Sequence, residues 1–383
     1  MKIKLLVTGD FCPIGRNKQY IVSGDYNKLF SEFIEEAKTV DLAIANLECP
    51  TTEVSTKIEK SGPNIKTTPK VPELLSKAGF GLVTLANNHI MDFGSKGLKD
   101  TILACKRNGV DTVGAGRNIG EARKPYYWEK NGVTFAIINI AENEFCTTSG
   151  DYYGANPLNV ITNHYDIAEA KKNADYVIVI SHGGREHYQL PTPQLRERYR
   201  FFIESGADIV IGHHTHTYSG HEEYKGKNIF YSLGNFIFDY KKKYQKGTWT
   251  QGYAVKLIFE NGDINFELIP YNQGRADNHQ ITTLNDRELV IFNEKIEELN
   301  NTIINDELFS QKWEEYISSQ EKSYKSNLFI QNKYQRALIS KGLIPPMYMH
   351  SKEHKKVLLN LLRCESHREI IIDILKKDYV ENN

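Results

Sequence analysis

The chain predicts an α/β fold with a mainly parallel or mixed sheet, followed by a helical appendage. Three observations carry this expectation. Short apolar runs alternate with amphipathic stretches over residues 1–274, as in sheets with helices on their faces. Of the 27 glycines, 26 fall in the same residues, which therefore need many turns between short elements. From about Asp286 the apolar residues Leu289, Phe292, Ile296 and Leu299 recur at helical spacing among Glu, Lys and Asn. The domain boundary is accordingly set by the glycines, with residues 1–274 as one domain and 275–383 as a helical extension.

Taken in order, strands are expected at Ile3–Val7, Leu42–Asn46, Leu82–Ala86, Thr134–Ile140, Tyr176–Ser181, Ile209–Gly212, Ile229–Leu233 and Tyr253–Phe259. Between them the pattern predicts helices over Lys28–Lys38, Val71–Ala78, Gly97–Asn108 and Pro193–Ser205. The last has Pro193 in its first turn and Gly206 just past its end. The strands near 229–269 follow one another without helices, as in an antiparallel section. In the extension, further helices are expected near 308–319, 327–340, 351–363 and 366–378.

Composition narrows the function classes. The 383 residues hold 48 Lys+Arg against 48 Asp+Glu, so the basic excess of a nucleic-acid-coating protein is absent and no nucleic-acid partner is expected. A 40% hydrophobic content suffices for a sizeable core. Gly9 and Asp10 interrupt the apolar start too early for a signal peptide, and no apolar run approaches the roughly 20 residues of a membrane span. The five scattered cysteines form no CxxC, which excludes a disulfide framework or zinc finger and fits a reducing, cytoplasmic setting.

Polar residues stand where the expected strands end: Asp10, Glu48, the Asn87-Asn88-His89 run, His182, and His214 with His216. Ligands of open α/β sheets bind outside the carboxyl ends of the strands, so these tips are expected to converge. Singly each has a plain reading, Asp10 as a turn residue and His182 as a hydrogen-bonded core residue. Together they make a mixed oxygen and nitrogen set typical of catalytic metals rather than of structural zinc.

The ordered motifs Gly9-Asp10, Asn46-Leu47-Glu48, Asn87-Asn88-His89, Ser181-His182-Gly183-Gly184 and Gly212-x-His214-x-His216 resemble the CapA family of poly-γ-glutamate capsule biosynthesis proteins. That family is a branch of the calcineurin-like metallophosphoesterases. The stretches Leu85–Gly94 and Tyr231–Asp239 strengthen the likeness, which covers roughly residues 3–240. The resemblance implies a metallophosphoesterase-like four-layer αββα sandwich of mixed sheets, with one or two divalent metal ions (Mn, Zn, Fe or Mg). It further implies that Asp10 and His216 hold one ion, that Asn88, His182 and His214 hold the other, that Glu48 bridges them, and that His89 is the general acid. Two ions so placed would clamp the attacking and leaving oxygens of a phosphoryl displacement.

This chain departs from the wider superfamily in two places. Gly9-Asp10-Phe11-Cys12 replaces Gly-Asp-x-His, leaving Cys12 either as a thiolate ligand or as a buried apolar residue. Glu48 replaces a bridging Asp. Arg16, Asn87 and Arg185 are the candidate substrate-binding residues, since an Arg fork suits phosphate or carboxylate. Arg117 reads as a surface residue, Lys241-Lys242-Lys243 as a solvated loop or a polymer contact, and His350, His354 and His367 as surface residues of the tail. His187 and His221 could line the pocket.

These readings lead to a metal-dependent hydrolase of phosphoesters acting on a small or polymeric anionic substrate. Two alternatives stay open: a γ-glutamyl amide hydrolase or transferase, and a non-catalytic accessory of capsule or envelope polymer assembly.

Overall fold

The computed structural model describes residues 2–60, 62–328 and 332–345, without the side chains of 320–328. The helices expected at 351–363 and 366–378, with His350, His354 and His367, lie outside the described residues. In chain order the strands are β1 (Lys2–Phe11), β2 (Leu42–Leu47), β3 (Phe80–Thr84), β4 (Asp111–Val113), β5 (Ala115–Gly116), β6 (Tyr126–Lys130), β7 (Val133–Ala141) and β8 (Gly154–Ala155). They continue with β9 (Tyr176–His182), β10 (Ile209–His213), β11 (His221–Tyr224), β12 (Lys227–Phe230), β13 (Asn235–Ile237), β14 (Gln251–Glu260), β15 (Asp263–Asn272) and β16 (Thr282–Thr283).

Two mixed sheets result. The larger runs β16-β15-β14-β1-β2-β3-β4 with β13 paired to β1, and the smaller runs β11-β12-β10-β9-β7-β6. Strand alternation explains how they stack. On β1, Ile3, Leu5 and Val7 point into the core shared with Ile137, Ile178 and Ile209 of the second sheet. Leu6, between them, faces the opposite way into a second core. Helices cover both outer faces, giving the expected αββα layering. On one side lie α1 (Lys18–Ser23), α2 (Tyr26–Phe30), α3 (Phe33–Lys38), α4 (Val71–Ala78) and α5 (Gly94–Arg107), after which comes the short α6 (Ile119–Ala122). On the other lie α7 (Val160–Asn173) and α8 (Pro193–Glu204).

Three local expectations need correction. The single helix expected over Lys28–Lys38 is broken into α2 and α3, because Ser31 takes φ 47°, outside the helical region. The strands after residue 229 are not one antiparallel section: β14 and β15 form an antiparallel hairpin, but β12 runs parallel to β10 and β13 parallel to β1. Composition changes at 274 but packing does not, since a first compact unit spans Met1–Phe309 and a second Ser310–Asn383. The helix α9 (Asp286–Ile304) opens on an Asn285–Glu288 capping box and buries Phe292, Ile296, Leu299 and Ile303 in the inter-sheet core. The helical C-terminal part continues with α10 (Asp306–Leu328) and α11 (Lys333–Ser340).

Arg16 ties the loops around the strand tips. Its Nε and Nη2 donate to Asp239 Oδ2 and Oδ1 at 2.9 and 2.8 Å, and its remaining donors reach the carbonyls of Gly274, Arg275 and Ala276. Burial pushes the Asp239 carboxyl up, but the Arg16 hydrogen bonds and charge outweigh it and hold the group below its usual range.

Two outcomes follow for stability. Phe236 packs with Phe11, Phe30, Phe33, Phe80 and Tyr271 at ring-centre distances of 5.2–6.2 Å, so Phe236→Ala should cost about 3–5 kcal/mol in urea unfolding. Arg16→Met should cost about 2 kcal/mol at neutral pH, less than a fully buried pair because Arg16 is partly solvated. Since the folded pKa of Asp239 lies below 3.8, the clamp stabilises above that pH and is lost as pH falls through the folded value. The gap between wild type and variant should therefore narrow in melts recorded below about pH 4.

Candidate metal centre

The parallel strands β1, β2 and β3 of one sheet and β9 and β10 of the other present their C-terminal ends to the same space. Glycine permits the approach at two of these ends. A Cβ on Gly9 would run into the Gly234 carbonyl oxygen, to which Asp10 N donates at 2.9 Å. A Cβ on Gly212 would likewise meet the Tyr231 carbonyl.

Asp10, Glu48, Asn88, His182, His214 and His216, all expected from the sequence, are brought together and buried. His182 Nε2 lies 3.1 Å from Asn88 Oδ1, 3.1 Å from His214 Nδ1 and 3.7 Å from Glu48 Oε1. On the other side of Glu48, His216 Nε2 is 3.7 Å from the same Oε1, and His216 Nδ1 is 3.6 Å from Asp10 Oδ2. Ligand atoms thus fall into two groups, Glu48 with His182 and His214, and Glu48 with Asp10 and His216, each within 4.8 Å of one another. Glu48 belongs to both.

Burial sets the electrostatics. It pushes Asp10 up to about 7 and Glu48 well above the usual carboxylate range, the Asp10 charge adding to the rise on Glu48. It also lowers the imidazoles: His214 to about 3, with His182 and His216 well below their ordinary value. Burial thus drives the carboxyls toward protonation and the imidazoles toward neutrality, because no positive charge lies within the cluster to balance two carboxylates. Neither oxygen of Glu48 has a hydrogen-bond donor, although both are buried. A divalent cation fits this donor set, because it would satisfy both oxygens and the convergent nitrogens at once.

The backbone is strained where the histidines sit. His214 has φ 92° and His216 φ 56°, in the left-handed region that side chains with a Cβ avoid. Each is held there, His214 by its N–H donating to Asp10 Oδ2 at 3.1 Å and His216 by Asn235. Asn235 Oδ1 lies 2.9 Å from His216 Nδ1 while its Nδ2 donates to the His216 carbonyl, turning Nε2 toward Glu48. Asn46 similarly donates to Asp10 Oδ1 at 2.7 Å and sits 3.1 Å from His182 Nδ1.

His89 is buried beside this cluster, with Nδ1 2.7 Å from Asp92 Oδ2. Lys60, buried in its loop, pairs with Asp92 Oδ1 and places Nζ 3.1 Å from the Asn88 carbonyl. Burial lowers the His89 pKa, partly offset by Asp92. Asn87 is fully buried and committed to backbone, donating to the Leu47 carbonyl and accepting from His89 N. Arg16 is equally committed, to Asp239 and carbonyls. The structure thus gives Asn87 and Arg16 loop-holding contacts in place of the substrate contacts expected of them. Arg185 does adjoin the site, half-buried on the loop after β9 and close enough for its charge to lower His214.

Cys12 takes the apolar alternative. It is buried with Ile14, Cys49, Ile65, Phe238 and Trp249, and burial holds its thiol well above the usual range. His221 turns away from the site toward Asn300, while Arg117 pairs with Glu121 at the surface. Sequence reasoning missed Asn46, Asn235, Asp92, Lys60 and Glu144, the last 3.7 Å from His214 Nε2. Asp92 and Asn235 lay inside motif stretches already noted, whereas nothing in the spacing of Lys60 marks it.

Comparison with known proteins agrees with the motif order. The profile of the bacterial capsule synthesis protein family PGA_cap matches residues 4–240. The chain is 31% identical over 301 residues to the capsule biosynthesis protein CapA of Bacillus anthracis, covering 76% of this chain and 72% of that one. It is 35% identical over 239 residues to the PGA biosynthesis protein CapA of Bacillus subtilis, covering 60% and 61%. A probable polyglutamine synthesis accessory protein of Mycobacterium tuberculosis is 26% identical over 219 residues, covering 54% and 58%. Among solved structures, a 5'-nucleotidase from Candida albicans aligns with TM-score 0.41 and 12% identity over 84% of this chain and 59% of that one, a likeness too loose to bear on activity. None of the described helices is long and apolar enough to cross a membrane. With its profile match spanning more than half of its length, the chain belongs to the bacterial capsule synthesis protein family PGA_cap.

Proposed function

We propose that the protein is a metal-dependent hydrolase of phosphoesters within capsule or polyglutamate biosynthesis. The observation that carries the reading is Glu48, a fully buried carboxylate without a donor, shared by two groups of potential ligands. Asp10, Glu48 and His216 would hold one divalent ion, and Glu48, Asn88, His182 and His214 a second. When bound, such ions supply Lewis acidity toward a phosphoryl oxygen and a hydroxide at neutral pH.

The chain's own residues do the rest. Asp92 accepts from His89 Nδ1 and aims Nε2 at the centre; His89 gives a proton to the leaving group from its doubly protonated form, which the Asp92 charge favours against burial. Lys60 compensates the buried Asp92 charge. Asn46 and Asn235 orient the ligands, and Arg185 supplies positive charge at the rim where an anionic ester enters.

A second reading, γ-glutamyl amide hydrolysis or transfer at the same centre, draws support from the PGA biosynthesis named for the Bacillus subtilis relative. Free amino groups released from poly-γ-glutamate, and lost in His182→Ala, would select it over phosphoester cleavage.

Purified protein supplied with manganese or zinc should turn over aryl phosphate mono- or diesters, and metal-replete protein inert on every ester would overturn the phosphoesterase reading. His89→Asn should lower kcat by roughly 10²–10⁴ with little change in KM. Elemental analysis should show metal lost from Asp10→Ala and from His214→Ala; unchanged stoichiometry in both would refute the centre.

A further inference from the structure

The strand β7 runs parallel to β9, so its C-terminal end leads toward the same centre, and the loop that follows carries the run Glu142-Asn143-Glu144. This loop is fastened to two of the residues assigned to the second ion. Glu142 N donates to the His182 carbonyl at 3.0 Å, and the Cys146 thiol donates to the Asn88 carbonyl at 2.8 Å. The first fastening is close, since a Cβ on Gly183 would run into Glu142 Cγ at 2.5 Å.

Glu144 stands between these fastenings, its side chain 39% exposed at the mouth of the site. Its Oε1 accepts from Asn88 Nδ2 at 3.5 Å and lies 3.7 Å from His214 Nε2. The opposite atoms of the same two side chains face inward, Asn88 Oδ1 and His214 Nδ1 each lying 3.1 Å from His182 Nε2. Ligand atoms about 2.1 Å from one ion, at angles of about 90–110°, stand about 3.0–3.4 Å apart, which is the spacing these three atoms show. One carboxylate oxygen therefore stands before both outward nitrogens.

We propose that Glu144 is a positioning residue for the second ion, holding the Asn88 amide and the His214 ring so that Oδ1 and Nδ1 are the atoms turned to the cation. The inference rests on the metal-centre reading above and not on the reaction assigned to that centre. An amide presents oxygen or nitrogen by a half-turn, and a neutral imidazole carries its proton on either nitrogen, so neither side chain selects its own lone pair. An acceptor on the outward side selects both. The other charged groups nearby have partners of their own: Lys60 pairs with Asp92, Glu142 lies 3.8 Å from Arg198, and Glu186 lies 4.0 Å from His187. Burial pushes the Glu144 carboxyl up, with Glu186 and Glu142 adding to the rise and the Lys60 charge and Asn88 hydrogen bond opposing it. Either protonation state leaves an acceptor lone pair, so the role belongs to the oxygen rather than to the charge.

The test is calorimetric titration of metal-stripped protein with manganese ions alone. Wild type is expected to take up two ions, one for each group of ligands. Glu144→Leu should weaken one of them at least about tenfold and leave the other unchanged, with the metal-free melting temperature unaltered. Glu144→Gln, which keeps an acceptor oxygen, should recover most of that loss, and at saturation its cobalt-loaded visible spectrum should match wild type where that of Glu144→Leu does not. Glu186→Gln, which removes a charge from the same rim, should bind as wild type does. Equal affinities in wild type and Glu144→Leu overturn the proposal and leave the centre standing. A Glu144→Gln variant as weak as Glu144→Leu, or an equal loss in Glu186→Gln, overturns it in favour of rim charge, and a single wild-type ion that Glu144→Leu leaves unchanged overturns it too. Wild-type protein that takes up no ion refutes the centre itself. Protein that shows the expected pattern but cleaves no phosphoester keeps this role for Glu144 and loses the phosphoesterase reading.

Discussion

The constraint on which the site depends is the burial of two carboxylates side by side. Asp10 and Glu48 are inaccessible to solvent, and the basic side chains beside them are imidazoles that burial keeps neutral. Removing a carboxylate from water costs several kcal/mol unless a charge or donors replace the hydration. Asn46 and the His214 N–H do this in part for Asp10, and nothing does it for Glu48. Such an arrangement is poor for a metal-free core and well suited to a cation. The cost of assembling it is spread over both sheets, whose strand ends must meet at the same point.

That meeting is secured by buried polar contacts between the sheets. His213 Nε2 lies 2.9 Å from the Thr8 carbonyl, joining β10 to β1 just before His214 and Asp10. Asn139 on β7 accepts from Ala86 N at 2.6 Å and donates to the Ile180 carbonyl, linking the end of β3 to β9. These contacts fix the Asn88 and His182 tips relative to each other more tightly than apolar packing, which tolerates sliding, could do. The strained φ values of His214 and His216 are sustained by the same framework, which explains why these histidines and the sheet junctions occupy adjacent residues.

The sequence made the site more legible than its supports. Asp10, Glu48, Asn88, His182, His214 and His216 stood out because each polar residue ends or follows an apolar strand, and five such ends cannot easily be explained by turns alone. Arg16 and Asn87 misled, because an Arg or Asn in a loop after a strand looks the same whether it faces a ligand or a backbone carbonyl; only the contacts to Asp239 and Leu47 separate the cases. Lys60 was invisible for the opposite reason. It reaches Asp92 from an irregular segment whose path no periodicity encodes. The α2–α3 break was hidden too, since a positive φ at Ser31 leaves no mark on the apolar spacing around it.

The missing histidine at Cys12 can now be placed physically. Cys12 sits in an apolar cluster with Trp249 and Phe238, and both of those rings also pack against His216, at 4.6 and 5.1 Å. The side of the centre that would take another nitrogen ligand is instead a hydrophobic wall. One ion would then have Asp10, Glu48 and His216 as its protein ligands, fewer than a closed structural site uses, and the remaining positions would be open to water or substrate. The longer Glu48 is consistent with this, since its extra methylene lets one carboxylate reach both groups from β2. The cysteine at position 12 and the rings that fix His216 thus belong to one packing arrangement.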